Sequence, residues 1–174
     1  DVCSSDLAVR DDHYSIEGRD NLCFCAVINR YGNHKMTVSV LEDARLKKGA
    51  YGSTISHDSH NLVILYKNIE DAYLVAKTLE KTGGGICVVE GGEIKGLVEL
   101  PVAGLMSLLP ADELSQRIEA TEEAVRGVCD QETSLLYAAL FSLACLPGAV
   151  TTDFGLVDGA KQTIIPPFRK LQEV

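Results

Sequence analysis

The chain has 174 residues, a formal charge of −9, six cysteines and no tryptophan. That length suits one domain, or one domain with a tail, whose core must be largely aliphatic because aromatic residues are sparse. The acidic balance argues against a nucleic-acid or anionic-membrane surface, and no apolar run reaches the roughly 18–20 residues of a spanning helix, so the expected setting is the cytoplasm.

Residues 1–7 do not open with methionine and resemble a translated sequencing adapter, so they are expected to be a sequencing or cloning artefact in front of a fragment whose N-terminal part is missing. Residues 8–20 are polar without a clear period and read as a linker or frayed end, leaving 21–174 as the domain. Residues 22–28 are apolar and β-prone. Arg30, Tyr31, Gly32 and Asn33 signal a turn, and 36–41 alternates, so the two runs predict a hairpin. Residues 50–56 and 62–66 predict two more strands.

Asn68 is placed to cap a helix. Glu70 and Asp71 suit its positive end, and Lys77 and Lys81 lie toward the negative end. Ile69, Ala72, Tyr73, Ala76 and Leu79 form its expected apolar stripe, and Gly83 its left-handed cap. A second hairpin is expected from 86–89 and 94–100, ended by Pro101. An apolar loop follows at 102–107. Leu114, Ile118, Thr121, Val125 and Val128 then recur at helical spacing. Residues 134–145, apolar on most sides, predict a buried helix, and 155–168 predict short strand and loop. Hairpins dominate this order. The expected class is α+β: a mixed, largely antiparallel sheet packed with three main helices.

The cysteines read as buried free thiols. Cys87 and Cys145 sit in apolar runs, and the C-x-C of Cys23 and Cys25 puts both side chains on one strand face with no further metal ligand adjacent.

The densest chemistry is His57, Asp58, Ser59, His60 and Asn61, which holds two of the four histidines between two predicted strands. A metal site would need a third or fourth ligand that the sequence does not name. A polar turn, with Asp58 or Asn61 capping backbone amides and the imidazoles bonded to carbonyls, asks for less. A Ser59 nucleophile has neighbours of the right type but no G-x-S-x-G elbow. Gly83, Gly84 and Gly85 follow a helix, whereas a phosphate cradle precedes one, so they read as cap and turn. The pair Glu122 and Glu123 reads as a solvated helix face.

Several segments together resemble the C-terminal domain of the microbial adenine deaminases, members of the amidohydrolase superfamily. They are Lys48-Gly49-Ala50, His57-Asp58-Ser59-His60-Asn61, Gly83-Gly84-Gly85 with Val88-Val89, Leu100-Pro101-Val102-Ala103-Gly104-Leu105-Met106-Ser107, and Asp153-Phe154-Gly155-Leu156-Val157-Asp158. Order and spacing match from about Val27 onward. The resemblance implies hydrolytic deamination of adenine to hypoxanthine and ammonia, with manganese or iron held by an N-terminal barrel absent from these residues. No metal is expected on this chain, and a homo-oligomer is expected for the full-length protein. It also implies that the candidate substrate-site or interdomain residues are His57, Asp58, Ser59, His60, Asn61, Met106 and Ser107. No certain catalytic residue is assigned. Three positions depart from the family pattern. Arg30-Tyr31 replaces an Arg-His pair, Ser134-Leu135 replaces a Pro-Phe helix start, and Asn33-His34-Lys35 replaces a glycine-rich turn. The alternative is a non-catalytic purine-binding or assembly module of a diverged paralogue.

Overall fold

Apolar strands place their side chains on alternate faces, and here both faces find a helical cover. The computed structural model describes residues 8–10, 13–166 and 168; the expectation for residues 1–7 lies outside them. Strands β1 (Ala8–Arg10) and β2 (His13–Ser15) pair antiparallel within the segment read as a linker. Then come β3 (Leu22–Ile28), β4 (Met36–Glu42), β5 (Ala50–Ser53), β6 (Leu62–Tyr66), helix α1 (Ile69–Thr82), β7 (Gly85–Glu90), β8 (Glu93–Glu99) and helix α2 (Ala111–Val128). A 3₁₀ helix (Tyr137–Ser142) and strands β9 (Ala149–Thr152), β10 (Gly155–Asp158) and β11 (Thr163–Ile165) complete the order.

The six-stranded sheet runs β4-β3-β6-β5-β7-β8, and each of its pairings is antiparallel. The α+β expectation holds. The predicted "mixed" character resolves to a purely antiparallel sheet, and the third helix is 3₁₀. A small sheet, β11-β10-β9, lies alongside, tied to β4 by the hydroxyls of Ser39 and Thr151 at 2.6 Å.

Cys25, Val27, Val63, Leu65, Tyr51 and Val88 face α2 and the 3₁₀ helix. Ala26, Ile64, Tyr66, Ala50, Cys87 and Val89 face α1. Alternate residues of single strands therefore feed two cores, which is why β6 is buried along its whole length.

Helix α1 begins and ends where the sequence predicts. Asn68 Oδ1 accepts from the Asp71 amide at 2.8 Å, and Gly83 takes φ +78°. Its stripe is rotated from the expected one. Ile69 and Tyr73 are each 63% exposed, while Val75 is fully buried. The cause is Asp71, which sits on the margin of the buried arc and accepts from the Gly91 and Gly92 amides at 3.1 and 2.7 Å. Turning Asp71 inward carries Ile69 and Tyr73 out to solvent.

Residues 134–145 do not form the predicted long buried helix. Six residues are 3₁₀; Ala138, Ala139 and Ser142 are buried, while Leu136, Leu140 and Cys145 are exposed. An all-round apolar composition gave no phase or end signal. The close approach is set by small side chains and by tertiary bonds: Tyr51 Oη donates to the Leu135 carbonyl, and the Ser56 and Ser142 hydroxyls meet at 2.5 Å. Strand β5 ends at Ser53, three residues earlier than expected, because Ser53 Oγ accepts from the Ile55 amide and turns the chain. Among the described residues, no helix is long and apolar enough to cross a membrane.

Candidate functional site

Antiparallel pairing gathers four connections at one end of the sheet. These are the β3–β4 turn, the β5–β6 loop that holds residues 57–61, the Gly83–Gly84–Gly85 turn, and the loop between β8 and α2. The apolar strands behind them are rigid, so the loops are positioned by the core.

The 57–61 loop is a tight polar turn. The His60 amide donates to the Ser56 carbonyl at 2.6 Å, and the Ser56 amide donates to His60 Nδ1 at 3.4 Å. An accepting Nδ1 leaves the proton of the neutral imidazole on Nε2. Ser59 Oγ accepts from the Asn61 amide at 3.4 Å. The polar-turn expectation is thus met with different actors: Ser59 and His60 take the amides, in place of Asp58 or Asn61, and the His60 ring accepts from an amide where a bond to a carbonyl was expected. The His57 and His60 rings stand edge to face, 5.7 Å between centroids, and His57, Asp58 and Ser59 are exposed. The His57–Asp58 peptide is cis, and His60 has φ +49°.

Asn61 differs from its neighbours. It is 2% exposed, and its side-chain oxygen has no hydrogen-bond partner. Along β6 it shares the parity of Val63 and Leu65, so it belongs to the face covered by the 3₁₀ helix.

Sequence reasoning missed the residues that hold this loop from behind. Arg30, in the β3–β4 turn, donates from Nη1 to the His60 carbonyl at 3.2 Å and from Nη2 to the Ala103 carbonyl at 3.0 Å. Tyr31 Oη donates to the Ser59 carbonyl at 2.8 Å. Thr54 Oγ1 donates to the Gly104 carbonyl at 2.6 Å and accepts from the Gly85 amide at 2.8 Å. Asn29 Nδ2 donates to Asp153 Oδ2 at 2.7 Å, which ties the turn to the small sheet. The sequence signals were the Arg30-Tyr31 turn at the position of the family's Arg-His pair, the small residues before His57 and the specific 100–107 run; none of them named the carbonyls these side chains reach.

Met106 and Ser107 lie in the β8–α2 loop. The Val102 and Met106 backbones close it reciprocally at 3.2 and 3.1 Å, and Ser107 Oγ accepts from the Leu109 amide at 3.2 Å. Met106 is 58% exposed, with Val102 and Leu108 also exposed around it. The structure joins this loop to the 57–61 loop through Arg30.

Among the described residues, no group of three or more His, Cys, Asp or Glu side chains converges to hold a metal ion. The described residues therefore offer no three-ligand cluster into which manganese or iron would fit. A concavity of about 530 Å³ lies on the α1 side of this end, lined by Ile28, Arg30, His34, Leu62, Tyr73 and Lys77 among others, and His57, Asp58 and Ser59 take no part in it.

The sequence model for the adenine deaminase C-terminal domain matches residues 2–163. An adenine deaminase of Clostridium botulinum is 35% identical over 165 residues, which cover 94% of this chain and 28% of that relative. One from Escherichia fergusonii is 37% identical over 168 residues, covering 92% of this chain and 28% of its own length. One from Escherichia coli is 38% identical over 157 residues, covering 87% and 26%. The chain thus spans little more than a quarter of the length of these relatives. It belongs to the adenine deaminase C-terminal domain family.

Proposed function

We propose that this chain is the C-terminal domain of an adenine deaminase-like aminohydrolase, which converts adenine and water to hypoxanthine and ammonia, and that its 57–61 loop walls the purine site of a metal-holding barrel. Manganese or iron held by that barrel would supply the activation of water for the hydrolysis. This chain's own residues supply shape, hydrogen bonds and exclusion of water.

The observation that carries the reading is the turn braced from behind by Arg30 and Tyr31, with His57, Asp58 and Ser59 exposed outside the concavity beside it. Adenine presents ring nitrogens as acceptors and an amino group as donor. His60 Nε2–H can serve the first, Ser59 Oγ either, and His57 the second when its ring is neutral. Cytoplasmic location and homo-oligomeric assembly of the full-length protein belong to the same proposal.

A second reading has its own support. Val102, Met106 and Leu108 are exposed beside the loop, as an interdomain packing face would be. On that reading the pentapeptide fixes domain packing, and the module is non-catalytic. The full-length protein, recovered from its genomic locus, separates the two. Ser59→Ala should raise KM for adenine or lower kcat by roughly tenfold or more if the loop meets substrate. Wild-type kinetics in a stably folded variant would leave only the packing role.

A further inference from the structure

We infer that Arg30 is a positioning residue: its guanidinium sets the spacing between the 57–61 loop and the 102–106 loop, so that the two present one surface. The inference rests on the wall reading for its functional consequence, though not for its geometry.

Three observations converge on this side chain. Its two terminal nitrogens bond to one carbonyl in each loop, His60 at 3.2 Å and Ala103 at 3.0 Å. Both acceptors belong to non-glycine residues in the left-handed region, at φ +49° for His60 and +57° for Ala103. That conformation is disfavoured for a residue with a Cβ, and it persists only where the surroundings fix it. The group common to both is the Arg30 fork. Third, Gly104 is cut to fit it. A Cβ on Gly104 would lie 2.1 Å from Nη1 and 2.4 Å from Nη2, so the guanidinium occupies the space a side chain would take.

Arginine is needed for geometric reasons. A planar fork reaches two carbonyls at once, whereas an ammonium on a flexible stem offers one point of contact. Tyr31 reaches the 57–61 loop, and the Thr54 hydroxyl reaches the 102–106 loop and the Gly85 amide. Arg30 bonds to both, so its loss should loosen the two together.

The test is amide hydrogen exchange on the full-length protein with Arg30→Gln and Arg30→Lys. Exchange within 57–61 and within 102–106 should rise together by about tenfold or more in the glutamine variant, while α1 and β7 keep their protection. Added guanidinium ion should restore protection to both segments. Unchanged exchange, loosening of one loop alone, or faster exchange spread over α1 and β7 would each overturn the inference. If the glutamine variant does not fold, the lysine variant carries the same comparison. In the full-length protein, Arg30→Gln should raise KM for adenine by more than it lowers kcat, with guanidinium bringing KM back. Paired loosening alongside wild-type kinetics in Ser59→Ala would retire the purine reading and leave the strut; impaired Ser59→Ala with no loosening in Arg30→Gln would do the reverse.

Discussion

Thr54 Oγ1 donates to the Gly104 carbonyl at 2.6 Å, and it is 1% exposed. The same oxygen accepts from the Gly85 amide, so one hydroxyl at the end of β5 joins the β8–α2 loop to the turn that ends α1. Gly84 lies against this junction. A Cβ there would sit 2.5 Å from Gly104 Cα and 3.0 Å from the Thr54 hydroxyl. The triple glycine is thus more than a helix stop: it lets two loops touch backbone to backbone beneath the candidate site.

Replacing Thr54 by valine keeps the shape and removes the hydroxyl. It leaves the Gly104 carbonyl and the Gly85 amide without this partner, and unpaired buried groups cost about 1–3 kcal/mol each. Thr54→Val should therefore lower unfolding free energy by at least about 1 kcal/mol in urea titrations, and Thr54→Ser should recover most of the loss. Equal stability of all three proteins would show that the hydroxyl is dispensable to the junction.

Asp71 gives the fold an acid-sensitive joint. Burial pushes its carboxyl up, but the hydrogen bonds from Asn68, Gly92 and Gly91 together outweigh that and hold the pKa below its ordinary value of 3.8. A depressed folded value stabilises the native state above the unfolded pKa, and the contribution fades as pH falls through the folded one. Below pH 3.8 the wild type should lose stability more steeply than Asp71→Asn, and above it the difference between the two should be constant. Denaturation midpoints across that range check the sign. A wild-type curve no steeper than the variant's in acid would contradict it.

Elements with local signals were legible in the sequence. Strands β3 and β6 fall on their predicted bounds because β-prone apolar runs ended at turn residues, and α1 is bracketed by an asparagine whose side chain caps its start and a glycine whose lack of a Cβ permits the left-handed end. What failed was phase and tertiary context. The burial of Asp71 depends on a hairpin twenty residues away, so no window on α1 alone reveals it. The 134–145 segment lacked a polar face, and its short 3₁₀ helix is set by contacts from Tyr51 and Ser56. At the site, the pentapeptide announced itself by composition. Arg30 was visible as a turn residue at a family motif position, but the roles of Arg30 and Thr54 were not, because they lie in the distant carbonyls these residues reach, Ala103 and Gly104.

The thiols should divide sharply by reactivity. Cys23, Cys25, Cys87 and Cys129 are buried, and Cys145 is exposed, which departs from the expectation that its apolar run would bury it. Burial pushes Cys23, Cys87 and Cys129 up to about 12, and Cys25 higher still. The reactive thiolate is then scarce even in mildly alkaline buffer. A thiol reagent at pH 8 should label Cys145 rapidly and these four only on unfolding, as peptide mapping would report. Early labelling of Cys23 or Cys87 in the folded protein would contradict the burial.

Asn61 separates stability from function. Its buried amide oxygen lacks a partner, and such a group forfeits about 1–3 kcal/mol relative to a satisfied one. Leucine has similar bulk and no polar atom to desolvate, so Asn61→Leu should unfold at the same denaturant concentration as the wild type or a higher one. A loss above about 2 kcal/mol would mean that the oxygen is already satisfied by a buried water. In the full-length protein the same variant should bind adenine more weakly, because a polar group kept at the base of the loop against the interest of the fold is expected to act on something beyond it. A stabilised variant with unaltered KM would remove Asn61 from the purine site and leave the exposed Ser59 and His57, with His60, to carry it.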